Sequence, residues 1–256
     1  MTGAPMSGAF YQALAPYYDT LLDGPDYEAW AGFFARAAAQ TGQRDIKHVL
    51  DLACGTGNMT LPLLRRGYEV TGLDLSPDML AEAQRRSREE GYQPLFLCRD
   101  MCEPEKCGDF DAVICCLDGI NYITSPGKLD QCFAGAAASL NPGGVFFFDV
   151  NTPYKFETLY GENDYILEDE GVLCAWSNQY NRRSRLAHMQ LTLFTEEADG
   201  RWRRRDEYHT ERCYTAAVLR RHLEAAGFTD IAMYGGFDFA PPADTDERMY
   251  IVCRKD

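Results

Sequence analysis

Asp51-Leu52-Ala53-Cys54-Gly55-Thr56-Gly57 links a short apolar run at 48–53 to a segment with helical apolar spacing at 57–66. Glycines at such a strand-to-helix turn let the backbone pass close to a bound ligand, and the helix that follows offers unpaired N–H groups at its start. A nicotinamide-dinucleotide fingerprint would place a third glycine three residues after Gly57, where this chain has Thr60. The next apolar run, 69–74, ends in Asp74, a carboxylate that can accept hydrogen bonds from both hydroxyls of a ribose. The loop and the acid together point to a ligand carrying a nucleoside, and Thr60 argues against a dehydrogenase.

Outward from this loop the pattern alternates. Strands are predicted at 48–53, 69–74, 95–99, 110–117 and 144–149, and helices at 57–66, 77–90 and 128–140, with Ser76 capping the second helix and Pro77 in its first turn. Strands apolar on both faces and separated by helices imply a parallel sheet covered on both sides. Residues 1–42 read as helices with aromatics at helical spacing, Trp30, Phe33 and Phe34 among them. After Asp149 the rhythm changes to β-rich, partly alternating runs at 164–168, 172–180, 186–196 and 201–212, broken by turns such as Asp199-Gly200. A helix at 215–226 ended by Gly227 and strands at 231–235 and 248–254 restore the first rhythm. The expected organisation is an N-terminal helical cover over 1–42, one α/β unit formed by 43–150 and 213–256, and an antiparallel β insert over 151–212.

With 256 residues, 46% of them hydrophobic, the chain can bury a full core. It has neither the unbroken apolar stretch of roughly 18 residues that a membrane helix needs nor the basic start and apolar run of a signal peptide, so a cytoplasmic location without membrane attachment is expected. Its ten cysteines fit a reducing compartment. Cys98, Cys102, Cys107, Cys115 and Cys116 cluster in sequence but form no CxxC pair and have no neighbouring histidine, and no metal is expected. A net charge of −14 opposes nonspecific attraction to nucleic acid; Arg201 to Arg205, around Trp202, is the one dense basic run.

Three further pieces follow the loop in order: Cys98-Arg99-Asp100-Met101 after the third strand, Phe110-Asp111-Ala112-Val113 opening the fourth, and Leu140-Asn141-Pro142-Gly143-Gly144 before the fifth. Over roughly residues 45–150 the chain resembles a class I S-adenosylmethionine-dependent methyltransferase. That resemblance implies a Rossmann-like seven-stranded sheet, mostly parallel with the last strand antiparallel, and an antiparallel β insert after the fifth strand. The segment Ala15-Pro16-Tyr17-Tyr18-Asp19, the run Asn151-Thr152-Pro153-Tyr154 and the insert are similar to a bacterial branch related to the amino-sugar N,N-dimethyltransferases. By the resemblance, Gly55 and Gly57 lie under the methionine moiety, Asp74 holds the ribose, and Asp100 with Met101 recognises adenine. Asp51 holds the glycine loop and reaches towards the cofactor's ammonium group. Tyr18 and Trp30 contact the methionine end, with core packing an equal alternative for both, and Ala53, Leu75, Met79 and Leu117 complete the shell.

Methyl transfer is a displacement at an activated carbon, so the protein's task is orientation in a dry pocket. Candidates for a general base or orienter are Asp118, Tyr122 and His209, with Asn121 and His188 beside them. The place after the fourth strand reads Cys116-Leu117-Asp118-Gly119-Ile120-Asn121-Tyr122 instead of the Asn/Asp-Pro-Pro-Tyr/Phe motif of enzymes acting on adenine or glutamine amides, which disfavours that chemistry. The expected activity is transfer to N or O of a small-molecule acceptor by a monomer or homodimer. Two alternatives stand: a methyltransferase for RNA or protein that uses the arginine run, and a module that binds S-adenosylmethionine without catalysis.

Overall fold

The computed structural model describes residues 26–42, 45–103 and 105–256, and the expected contact of Tyr18 lies outside them. In chain order the elements are α1 (Tyr27–Gln40), β1 (His48–Leu52), α2 (Thr60–Arg65), β2 (Glu69–Asp74), α3 (Pro77–Glu89), β3 (Leu95–Cys98), β4 (Phe110–Cys115), α4 (Lys128–Ser139) and β5 (Leu140–Asn151), then the insert strands β6 (Asp164–Asp169), β7 (Val172–Asn181), β8 (Leu186–Glu196) and β9 (Trp202–Arg212), and last α5 (Ala216–Ala225), β10 (Phe228–Tyr234) and β11 (Arg248–Lys255). A 3-10 turn (Gly119–Tyr122) follows β4, and a π turn (Lys155–Tyr160) follows β5.

The main sheet has seven strands in the order β10-β11-β5-β4-β1-β2-β3. Strands β1 to β5 pair in parallel, and β11 lies antiparallel between β5 and β10. Consecutive apolar residues on β5 explain how the sheet is covered on both sides. Val145 and Phe147 join the cluster under α1 and α2, and Phe146, Phe148 and Val150 join the one under α4 and α5. Each such side chain contributes on the order of 1.5–3 kcal/mol when fully buried.

Caps and glycines set the ends. Ser76 Oγ accepts from Met79 N at 3.3 Å, as the sequence implies, and Gly227 takes φ +86 where α5 stops. The helix expected from Gly57 starts three residues later, at Thr60, because Gly57 is still in the loop at φ +84. A Cβ there would lie 3.3 Å from the Ala83 Cβ, so Gly57 also lets the loop pack closely on α3. β5 starts at Leu140, earlier than expected, and absorbs Gly143 (φ +77) through a register shift against β4.

The insert forms a separate antiparallel sheet, β6-β7-β8-β9, with the predicted turn at Gly200 (φ +78). Its inner face, with Val172, Cys174, Met189 and Leu193, packs on Phe156 and Tyr160 of the π turn. Among the described residues no helix is long and apolar enough to cross a membrane.

Candidate functional site

A ligand crevice in an open α/β sheet forms at the carboxyl ends of the strands, where the chain order reverses. Here that place lies between β1 and β4, and it opens into a cavity of about 570 Å³. Ala53, Gly55, Asp74, Leu75, Met79, Asp100, Met101, Leu117 and Tyr122, all singled out in the sequence, lie on its wall.

Asp74, at the end of β2, is oriented by the loops around it. Gly55 N donates to its Oδ2 at 3.0 Å and Ser76 N to its Oδ1 at 2.8 Å, while burial pushes its carboxyl above the usual range. Each oxygen keeps a second lone pair for a hydroxyl donor. Gly55, at φ +53, has nothing within 4 Å of the position a Cβ would take, so the loop leaves open space beside the carboxylate. Leu75 next to it is 60% exposed, and an exposed leucine beside Met79 and Met101 is a surface that a planar base can cover. Asp100 Oδ1 accepts from Cys102 N at 2.8 Å, and its Oδ2 pairs with Lys128 at 3.4 Å.

Other expected residues are placed differently. Asp51 is buried beneath the loop and is absent from the cavity wall; its Oδ2 accepts from the Thr60 hydroxyl at 2.6 Å. The position that excludes a dinucleotide fingerprint therefore serves to hold the acid of the glycine loop. Burial raises the Asp51 carboxyl to about 7, against 3.8 for the free side chain, and neighbouring Asp74 adds to the shift. Gly57 is off the wall as well. Trp30 takes its core alternative: it is 4% exposed, packs edge-on to Tyr250 and Phe237, and carries the Arg248 guanidinium 5.3 Å from its ring. From α1, Tyr27 touches a residue of the wall, its hydroxyl accepting from Asn58 Nδ2 at 3.0 Å. Asn58 is on the wall, and Arg86 of α3 ties it to Thr56 by donating to Asn58 Oδ1 (2.7 Å) and Thr56 Oγ1 (3.1 Å). On α3 alone Arg86 reads as one charge on a solvated face, so the sequence carries no signal for this clamp.

The three candidates for proton chemistry separate. Tyr122 lies on the wall. Asp118 points away to Arg248, with a 3.0 Å contact to the guanidinium. His209 belongs to the buried face of β9, 3.4 Å from Glu207 and edge-on to Tyr122 at 6.0 Å. Its neighbour Thr210 faces the opposite way and lies on the wall, and the imidazole that meets Thr210 is His188, with Nδ1 3.1 Å from Oγ1. Asn121, the expected orienter, joins the insert to the sheet: its Nδ2 donates to the Arg212 carbonyl at 2.8 Å and its Oδ1 accepts from Asn151 N at 2.9 Å.

Comparison with known proteins agrees with this geometry. A family model described as a methyltransferase domain matches residues 49–144. A protein of Geobacillus sp. (strain WCH70), assigned as a methyltransferase without a stated acceptor, is 31% identical over 245 residues, covering 96% of this chain and 99% of its own. The crystal structure of an S-adenosylmethionine-dependent methyltransferase from Clostridium acetobutylicum ATCC 824 is 30% identical, covers 96% of this chain and 98% of its own, and superposes with a TM-score of 0.86. A sugar N-methyltransferase from Streptoalloteichus sp. ATCC 53650 is 23% identical, with coverage of 100% and 99% and a TM-score of 0.76, and so shares the fold.

Proposed function

The chain belongs to the S-adenosylmethionine-dependent methyltransferases, and on that premise we propose that it methylates a nitrogen or oxygen of a small-molecule acceptor, an amino sugar being the class closest to its structural neighbours. The observation that carries this reading is one cavity whose wall joins Asp74 and Asp100 to Tyr122 and Thr210, the latter supplied by the insert. In this reading Asp74 takes the ribose, Asp100 and Met101 the adenine, and the glycine loop the methionine portion, while residues 151–212 wall the acceptor side.

When bound, S-adenosylmethionine supplies a methyl group already activated on a sulfonium. The chain's residues then have two tasks: to orient the acceptor and to hold the proton it gives up. In this reading Tyr122 and Thr210, both on the cavity wall, orient the acceptor, and His188, outside the wall but 3.1 Å from the Thr210 hydroxyl, is the candidate to take the proton. Incubation of the purified protein with methyl-labelled cofactor and fresh cell extract tests the reading. Label should appear in the low-molecular-weight fraction; label confined to RNA or protein would overturn the small-molecule acceptor, and no transfer into any fraction would favour a binding module.

The arginine run gives little support to an RNA acceptor, because three of its four arginines have partners within the insert: Arg201 pairs with Asp199, Arg203 with Glu197 and Arg204 with Asp206. Changing these three arginines to glutamine should leave transfer into small molecules and its salt dependence unaltered. A strong loss with a flattened salt dependence would restore the nucleic-acid reading.

Asp51 gives the site a pH dependence. Below about 7 the free protein holds the Asp51 proton, and a cationic ammonium group beside the glycine loop favours the ionised form through Coulomb attraction. The cofactor's Kd should therefore fall as pH rises towards 7, by up to about tenfold per unit, and level off above it. Asp51→Asn should flatten the curve. The same raised value makes stability fall as pH rises from 3.8 to about 7, where the unfolded chain has released the proton and the folded chain has not, and the loss persists above 7. A Kd independent of pH in the native protein would remove the Coulombic link between Asp51 and the bound cation.

A further inference from the structure

Leu117 and Asp118 occupy the left-handed region in succession, with φ +60 and +55, although neither is glycine. Such a conformation is strained for a residue with a side chain and persists where the surroundings impose it. The imposing group is Asp149 on β5, a wholly buried carboxylate. Leu117 N donates to its Oδ1 at 2.7 Å and Asp118 N to its Oδ2 at 3.0 Å. Burial and the neighbouring Asp118 both push the Asp149 carboxyl upwards, and the ionised carboxylate is the stronger acceptor for the two N–H groups.

Arg248, the first residue of β11, offsets this. Its guanidinium donates to Asp149 Oδ2 and, at 3.0 Å, to Asp118 Oδ1, and it stacks 5.3 Å over Trp30 of α1. Only a planar fork can bridge two carboxylates and lie on a ring at once. The elbow it supports reaches the cavity through Leu117 and Gly119. A Cβ on Gly119 would come within 3.2 Å of the Ala53 Cβ, so the elbow abuts the glycine loop.

We propose that Arg248 is a positioning residue of the cofactor site: by bridging Asp149 and Asp118 against Trp30, it holds the 117–118 elbow as the wall facing the glycine loop, where the methionine portion binds. The inference rests on the cofactor placement proposed above. It assigns Asp118, expected as a base, to the support of this wall.

The test measures Kd by calorimetry for two probes, S-adenosylmethionine and adenosine, which lacks the methionine portion, on the full-length protein and on Arg248→Met and Arg248→Lys. Thermal melts serve as a control for folding. The expected result is an S-adenosylmethionine Kd raised at least about tenfold in Arg248→Met and about threefold in Arg248→Lys, with adenosine affinity within about twofold of the native protein. Arg248→Lys keeps the charge, so it carries the test alone if Arg248→Met fails to fold. Native-like S-adenosylmethionine affinity in the lysine variant, or equal losses for both probes, would overturn the positioning role. If the native protein bound adenosine but not S-adenosylmethionine, the functional reading would fall first and the positioning role with it.

Discussion

Replacing Asp74 with alanine should raise the Kd for S-adenosylmethionine roughly five- to 150-fold, corresponding to about 1–3 kcal/mol for hydrogen bonds lost to a charged group. Two effects add in this variant. The ribose loses its acceptors, and the N–H groups of Gly55 and Ser76 lose the carboxylate that orients them, so the glycine loop itself loosens. Asparagine is not a conservative replacement, because only one of its two terminal atoms accepts and each Asp74 oxygen already accepts a backbone N–H. Calorimetric titration checks the prediction, with a thermal melt of the ligand-free variant to separate loop loosening from general unfolding. An unchanged Kd would mean that the ribose lies elsewhere and that Asp74 serves only to brace the loop.

Phe33→Ala should lower folding stability by about 3–5 kcal/mol, a large share of the roughly 5–15 kcal/mol typical of a folded protein. Phe33 is fully buried at the centre of an aromatic cluster. It stacks on Phe237 at 4.8 Å and meets Phe239 at 5.1 Å, Tyr250 at 5.3 Å and Phe147 at 5.9 Å. These rings come from α1, β5, β11 and the segment between β10 and β11, so alanine leaves a cavity bounded by elements that cannot all move inwards together. Chemical denaturation gives the magnitude. A loss below about 1 kcal/mol would show that α1 shifts to refill the space, and then the contact from Tyr27 to Asn58 should weaken with it.

Much of the fold was legible because it depends on local chemistry. Ser76 before Pro77 marks a helix start wherever it occurs, and the alternating runs at 172–180 and 186–196 mark strands of a half-covered sheet. The glycine loop and Asp74 were legible for the same reason, since a tight turn and an acid at a strand end lie 19 residues apart and are brought together by one β-α-β unit. The placement of the candidate bases was not. His188 and His209 both lie on insert strands, and alternation assigns each to one of two faces without saying which face the rest of the chain covers. The π turn covers the side with His209, and the cavity meets the side with Thr210 and His188.

The sequence by itself determined the order of strands and helices, the glycine turn and the acid beside it, and the presence of an insert. These follow from propensity, period and capping, which act over a few residues. Tertiary structure alone decided that Asp118 faces Arg248, that Trp30 packs against Arg248, and that Thr60 holds Asp51. Asp118 and Arg248 stand 130 residues apart, and what makes their pairing matter is burial, a property of the packed molecule that no local pattern encodes.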